Sequence, residues 1–458
     1  MIENDAFKLL LINIFHLNPD DIANILCTTF NKMMVLIVTL ADKHQACPYC
    51  GFTAPKIKEY VTKEITHSAL TTQKCIIKYR ARRYKCSCCG KTYYEFNPFV
   101  FKSQKISILT VHNILKDLKD FNETFTSVAR RYHVSPTSVS TIFDKHVDIG
   151  RNPLPEIINF DEVYAFKSEK SKYVCVLLDF KKQIPVDVLP NRKKEYLLNY
   201  FQKIPLEERK KVKYACSDMY EVYRDVVHKV FPSCCMLLDY FHLSQDFHRK
   251  MNEVRIKVMK GYKDNKASDE YYLLKKFNWL LFKNPEDEDK YGRLFDVERE
   301  RKYNSHFKSY MNYYDLRKKL LEINNDLTIC YSLKLELVDF YSKSTIDNAK
   351  VNLENLIRSC IDTNIDEMIA FSNNLINWKQ EIINSFTIVG TEYKVEADKG
   401  QVVVCNKKVN NAIIENRNKI IKCIKNNANG YTNWSRFRNR VMYVLDPNAT
   451  FSLEPREK

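Results

Sequence analysis

The segment 156–244 carries the strongest constraint on what this chain can fold into. It holds a series of short apolar runs: Ile157-Ile-Asn-Phe-Asp161, Tyr173-Val-Cys-Val-Leu-Leu-Asp179, Ile184-Pro-Val-Asp-Val-Leu189, Val212-Lys-Tyr-Ala-Cys-Ser-Asp218 and Cys235-Met-Leu-Leu-Asp239. Runs of this length, bounded by polar residues, make buried strands. The first three are hairpin-spaced, and a helical segment separates the third from the fourth. Two of them deliver a carboxylate where the strand stops, at Asp161 and Asp218. A strand-end Asp is also an ordinary turn or helix cap. Asp179 reads that way, and Asp218, ahead of a helical pattern at 220–230, has that alternative too.

Hairpin strands, a crossover helix and a strand ending in Asp give the order of an RNase H-like core. In that fold strand-end carboxylates converge to hold divalent metal for phosphoryl transfer. The rest of the chain has to be consistent with that chemistry. At 458 residues it exceeds one ordinary core. A hydrophobic content of 45% excludes global disorder, and a net charge of +17 points to a polyanionic partner, nucleic acid first. The N-terminus has no secretory pattern, and the apolar run Met33–Leu40 is too short to span a bilayer. The expectation is a soluble cytoplasmic, nucleoid-associated protein without membrane contact. In a reducing compartment, paired cysteines among the fifteen present bind metal rather than each other. Cys175, Cys216, Cys360 and Cys423 lie in apolar runs and read as core residues.

Residues 1–45 read as helical. In 46–98, Cys47-Pro-Tyr-Cys50-Gly51 and Cys86-Ser-Cys-Cys89-Gly90 are two knuckles able to give four thiolates to one tetrahedral Zn2+. Two β-like runs between them would make the hairpin of a zinc ribbon. Cys88 competes with its neighbours, but spacing and the following glycine favour Cys86 and Cys89. Arg80, Arg82 and Arg83 form a basic strand segment suited to phosphates, or a solvated face. Residues 101–148 read as three helices, with Ser135 capping a helix whose first residue is Pro136. Val128, Ala129, Val134, Val139, Ile142 and Phe143 would form a small helix-turn-helix core, leaving Thr137, Ser138 and Thr141 outward on a DNA-recognition helix.

The core begins at 155–245. Residues 246–395 read as an all-helical insertion, with Leu273, Phe277, Trp279, Leu280 and Leu281 as packing residues. The core resumes over 396–448. There, residues 409–425 form an amphipathic helix whose polar face carries Asn411, Glu415, Asn418, Lys419 and Lys422. Glu415 is the only acid of that helix. It pairs with Lys419 at i+4, or it is a metal-bound carboxylate among DNA-facing amides and lysines. A basic, aromatic tail helix with Arg436 and Arg438 follows Gly430 and is a further DNA contact.

These features, in this order, resemble an insertion-sequence DDE transposase of the ISL-three family over nearly the whole chain. The shared residues are the two cysteine knuckles, the helix-turn-helix, Phe160-Asp161-Glu162, Ser217-Asp218-Met219, Asp239-Tyr-Phe-His242-Leu, the segment from Leu274 to Leu281, and Ile414-Glu415-Asn-Arg-Asn418-Lys419 with Gly430-Tyr431. Two positions depart from the family: Asn416 stands where Gly usually follows the glutamate, and Tyr240 where Arg is usual. The resemblance implies that Asp161, Asp218 and Glu415 are the catalytic triad, holding two Mg2+ (or Mn2+) ions. It also implies double-stranded DNA as partner, both terminal inverted repeats and target, with a homodimer or larger assembly pairing the ends. Asp239 and His242 would be accessory, orienting the scissile strand or packing. The competing class is a non-catalytic zinc and helix-turn-helix regulator derived from a transposase.

Overall fold

The computed structural model describes residues 2–43, 45–53, 55–101, 104–166, 171–395 and 402–456. Helix α1 (Ile2–Ile14) is followed by an antiparallel pair, β1 (Ile22–Phe30) and β2 (Met33–Leu40). The helical reading of 1–45 is therefore corrected beyond α1. Val35, Ile37 and Val38 are β-branched and favour a pleated surface, and Asn31 and Lys32 take positive φ (49° and 61°), the turn that closes a two-residue hairpin.

Strand β2 runs parallel to β4 (Cys75–Lys85), which pairs antiparallel with β3 (Lys56–Thr66) and with short β5 (Thr92–Tyr94). The N-terminal segment and the cysteine knuckles thus share one sheet, of order β1-β2-β4-β3 with β5 on β4. Helices α2 (Ile108–Asp117), α3 (Phe125–Arg131) and α4 (Pro136–His146) follow, capped by Ser107, Thr124 and Ser135. Val128, Ala129, Val139, Ile142 and Phe143 are buried between them, and Val134 packs at the edge. Residues 151–155 are not a free linker: Arg151 makes a two-pronged ion pair with Glu208, and Leu154 is buried.

The central sheet contains β6 (Ile157–Val163), β7 (Val174–Asp179), β8 (Pro185–Leu189), β9 (Tyr214–Ser217) and β10 (Cys235–Leu238), in the order β10-β9-β6-β7-β8. β6, β7 and β8 are successive antiparallel strands; β9 and β10 are parallel to β6. Helices α5 (Lys194–Gln202), α6 (Leu206–Arg209) and α7 (Glu221–Val230) supply the crossovers. Leu197, Phe201, Tyr223 and Val227 pack them on one face of the sheet. Asp179 turns the chain, accepting from the backbone N–H of Lys181 (2.9 Å) and Lys182 (3.0 Å).

α8 (Tyr240–Gly261) leaves the sheet and enters a second large core with α9 (Asp269–Lys276), α10 (Tyr313–Glu322), α11 (Asn325–Lys343), α12 (Ala349–Asp362), α13 (Asp366–Asn377) and α14 (Lys379–Asn384). Leu273, Leu280 and Leu281 are buried there, with Phe277 and Trp279 packed against them. The insertion is not all-helical. Two small hairpins interrupt it, Glu288–Asp289 with Gly292–Arg293 and Lys302–Asn304 with Ser309–Met311, the first turning at Gly292 (φ 96°). A longer hairpin, Ile388–Val395 with Val402–Lys408, leads back. The expected core boundary at 396 falls among residues 396–401, outside the described residues. α15 (Ala412–Asn427) then packs on β6, and α16 (Trp434–Leu445) on β8. Among the described residues no helix is long and apolar enough to cross a membrane.

Candidate active site

The parallel pairing of β6, β9 and β10 stops at one end of the central sheet, and the register there places the carboxylates; Asp161, expected where its strand stops, lies inside β6, which runs on to Val163 against β7. Asn159 on β6 pairs with Cys216 on β9, and Ser217 with Leu238 on β10. Two residues past Asn159 and Cys216 stand Asp161 and Asp218; one past Ser217 and Leu238 stand Asp218 and Asp239. With neighbouring strands about 4.8 Å apart, the three acids form a row at the carboxyl end of the parallel strands. Asp161 and Asp239 are buried, and Asp218 is largely so.

Glu415 arrives from α15, across the whole insertion. Asn159 Nδ2 donates to Asn411 Oδ1 (2.7 Å), and Asn411 Nδ2 donates to the Phe160 carbonyl (3.3 Å). One turn on, Glu415 Oε1 lies 3.8 Å from His242 Nε2, itself 3.8 Å from Asp239 Oδ2. Asp239, His242 and Glu415 can each offer a ligand atom within 4.8 Å of the others. The tightest group therefore joins Glu415, expected in a catalytic triad, to Asp239 and His242, expected to be accessory. Asp161 and Asp218 stand beside it, both within electrostatic reach of His242.

This cluster is costly on its own. Burial, with the neighbouring carboxylate Asp218 adding to it, pushes Asp161 up to about 7 from the ordinary 3.8, and burial pushes Asp218 up to about 6. Burial raises Asp239 as well. Asp218 Oδ1, Asp239 Oδ2 and His242 Nε2 are buried without a hydrogen-bond partner. Buried acceptors left unpaired at this density fit a cation among them, the donor set (carboxylate oxygen and imidazole nitrogen) suiting a divalent metal. In metal-free protein these carboxyls hold protons more tightly folded than unfolded. Their contribution is complete below about pH 4 and lost as pH rises through about 6 to 7. Stability of the metal-free protein, followed by denaturant melts, is expected to fall over that window. Asp161→Asn should flatten the fall.

Several residues expected at DNA have structural work instead. Asn411 and Asn418 are buried, not DNA-facing, because the helix face that meets β6 needs amides to satisfy backbone and carboxylate. Asn418 Nδ2 donates to Asp161 Oδ2 at 2.7 Å. Asn418→Ala is expected to cost about 1–3 kcal/mol in urea unfolding of the metal-free protein. Arg82 pairs with buried Glu95 (2.8 Å) and donates to the Leu40 carbonyl, joining β4 to the end of β2. Arg83 pairs with Glu59 (2.6 Å), while Arg80 stays exposed over the Tyr60 ring. Arg436 grips Asp144 of α4 with two bonds (3.0 and 2.6 Å), and Arg438 binds Asp187 (2.7 Å) and the Ile149 carbonyl. The tail helix therefore clamps α2–α4 to the sheet. Thr137 and Thr141 are exposed on α4, Ser138 is half-exposed, and Lys419 and Lys422 are exposed on α15. Cys423 is exposed rather than core, whereas Cys175, Cys216 and Cys360 are buried.

The four cysteines Cys47, Cys50, Cys86 and Cys89 meet as one group, with Sγ–Sγ separations of 3.7 Å (Cys47–Cys89) and 3.5 Å (Cys50–Cys86). Such separations are far too long for a disulfide and suit thiolates around one Zn2+. Gly51 and Gly90 both adopt φ 74°, which lets their N–H groups close onto the Cys47 and Cys86 carbonyls. Cys88 is exposed and outside the group.

Two residues that the sequence ranked as accessory, Asp239 and His242, stand inside the cluster. The signal was present: Asp239 ends its strand just as Asp218 does. The amide ties through Asn159, Asn411 and Asn418, and the ion pair of Glu162 with Arg192, gave no sequence signal.

The family model for DDE transposases of the ISL3 type, described as "Transposase", matches residues 158–397. The match ends before Glu415, which rests on geometry. The chain is also 19% identical over 409 residues to the transposase for insertion sequence element IS1001 of Bordetella parapertussis, covering 89% of this chain and 90% of that protein. Asp161, Asp218 and Asp239 all lie inside the matched segment, and the chain belongs to the ISL-three family of insertion-sequence transposases.

Proposed function

We propose that this protein cuts DNA at the ends of its element and joins those ends to target DNA, with Asp161, Asp218 and Glu415 as the catalytic carboxylates. The observation that carries the reading is the return of Glu415, after the long insertion, to within 3.8 Å of His242 at the strand-end acids. A protein using this core only as a scaffold has no reason to bring these groups together. The sheet order, three antiparallel strands followed by two parallel ones on the β6 side, supports the RNase H-like reading.

Asp161, Asp218 and Glu415 would hold two divalent cations, Mg2+ or Mn2+, with Asp239 and His242 able to complete the set. When bound there the cations neutralise charge on the reacting phosphate and its attacking and leaving oxygens. The chain's own residues do the positioning. Asn418 fixes the Asp161 carboxylate, and Asn411 anchors α15 so that Glu415 faces the row. His242, between Asp239 and Glu415, presents an unpartnered Nε2 suited to a metal or a phosphate oxygen.

End recognition is assigned to the four-cysteine module and to α4, whose exposed Thr137 and Thr141 are free to face a groove. Pairing two ends calls for at least a dimer. The test is excision of a marked element, with its terminal inverted repeats, from a donor plasmid in cells. Wild type should excise and Glu415→Gln, at equal expression, should not. Excision by both would remove Glu415 from the site. Excision by neither, with end binding intact and no copied insertions, would favour a regulator.

A further inference from the structure

The small hairpins of the insertion border a cavity of about 530 Å3 whose lining includes none of the residues of the carboxylate cluster. Its size is that of a site burying one small organic molecule and excludes a duplex. Tyr291 and Tyr303 line it and are 67% and 58% exposed, which leaves both rings open to a ligand. Tyr272 and Tyr313 form further wall, Tyr272 stacked on His306 at 4.0 Å with 7° between planes. The floor is apolar, with Met311 and Leu316 buried.

The wall is held in place. Buried Asn312 caps α10 and donates through Nδ2 to the carbonyls of Val297 and Arg299, both at 3.1 Å. Charge along the lining nearly cancels: Lys276, Arg293, Arg299 and Lys302 stand against Asp289, Asp296 and Glu300, with Arg299 paired to Asp289 (2.6 Å). Lys276 and Lys302 stand over Tyr272 and Tyr291, at 5.2 and 6.0 Å from the ring centres. A nearly neutral, aromatic, fixed cavity with lysines by its rings suits a flat polar ring inside and a phosphate backbone outside.

We propose that this cavity takes an unstacked base of single-stranded or distorted DNA. The proposal rests on the transposase reading, which puts DNA at the carboxylate row. α8 connects the two places: it starts after Asp239, and Arg255 on it donates to the Leu274 carbonyl of α9 beside the cavity (2.8 Å). That stretch of α8 is roughly 24 Å at 1.5 Å per residue.

The test uses full-length protein and three probes: a single-stranded oligonucleotide of element-flank sequence, the same sequence as duplex, and deoxyadenosine monophosphate. Tyr291→Ala with Tyr303→Ala should weaken single-strand binding about tenfold or more. The melting temperature should stay unchanged, since both rings are exposed. Tyr291→Phe with Tyr303→Phe should keep wild-type affinity, because the ring and not the hydroxyl stacks. In a scan of single 2-aminopurine substitutions along the flank, one position should be quenched by wild type and not by the Ala pair. Equal single-strand binding by wild type and the Ala pair overturns the proposal. So does binding of the free nucleotide without the oligonucleotide, which would make the cavity a small-molecule site. Failure of the transposase reading shows separately, as neither excision nor copied insertions with the wild-type protein.

Discussion

Asp218→Asn is expected to lower metal-dependent cleavage of an element end by on the order of 10³-fold, while raising the melting temperature of the metal-free protein. The opposite signs follow from one cause. Asp218 is largely buried between Asp161 and Asp239, with Oδ1 lacking any hydrogen-bond partner, and burial holds its carboxyl up at about 6. At neutral pH the folded protein therefore pays for a charge that a bound cation would offset. An amide removes the charge and relieves the apo protein, but it also removes an anionic ligand. Asp161→Asn should behave alike for activity. Its stability gain should be smaller, since the amide meets Asn418 Nδ2 donor to donor unless one of the two side chains flips. Addition of Mg2+ or Mn2+ should raise the melting temperature of wild type and leave that of Asp218→Asn nearly unmoved. Full cleavage by Asp218→Asn would take this residue out of the site. Unaltered apo stability would mean the electrostatic cost has been misjudged.

Asp239 and His242 separate two readings of the same cluster. Glu415→Gln and His242→Ala should both loosen metal-dependent stabilisation if the close group of Asp239, His242 and Glu415 holds an ion. If His242 touches the phosphate alone, His242→Ala should slow cleavage and leave the metal-induced shift intact.

The sequence was most readable where a local pattern determines the outcome. Short apolar runs announced the five central strands, because burial on both faces requires them. The cysteine knuckles announced themselves because spacing and glycine are local properties. Ser135 before Pro136 marked the start of α4 for the same reason. The failures are non-local. Polar residues on α15 looked solvent-facing by helical period, yet Asn411 and Asn418 turn inward, since the surface they meet is a strand carrying its own amide and carboxylate. Arg436 and Arg438 looked like phosphate ligands, but Asp144 and Asp187, hundreds of residues earlier, claim them. Register across β6, β9 and β10 put Asp239 level with Asp218, and register exists only once strands have neighbours. The β1–β2 pair was missed because an apolar run without its sheet reads equally as helix.

Removal of zinc is expected to cost end recognition outright. Cys47→Ser, or a strong chelator, should drop bound zinc from one ion per chain to none and abolish specific binding to the inverted repeats. The Cys47, Cys86, Tyr84 and Tyr93 side chains are the small apolar cluster around the knuckles themselves, too little to hold the two together without metal. Structural zinc contributes about 10–16 kcal/mol in isolated modules, more than such a core supplies. The damage should also spread. β4 leads straight into Cys86 and is the strand on which β2, β3 and β5 assemble, and Arg82 within it holds Glu95 and the end of β2. Hydrogen exchange should therefore rise most around the two knuckles and at the Tyr84 end of β4 with β5, less in β1 to β3, which keep a core of their own, while β6 to β10 stay protected. Cys88→Ser is the control. It lies outside the group and should keep both zinc and binding. Zinc retained in Cys47→Ser but lost in Cys88→Ser would reassign the ligands. Normal end binding by a zinc-free protein would detach recognition from this module and leave it to α4 alone.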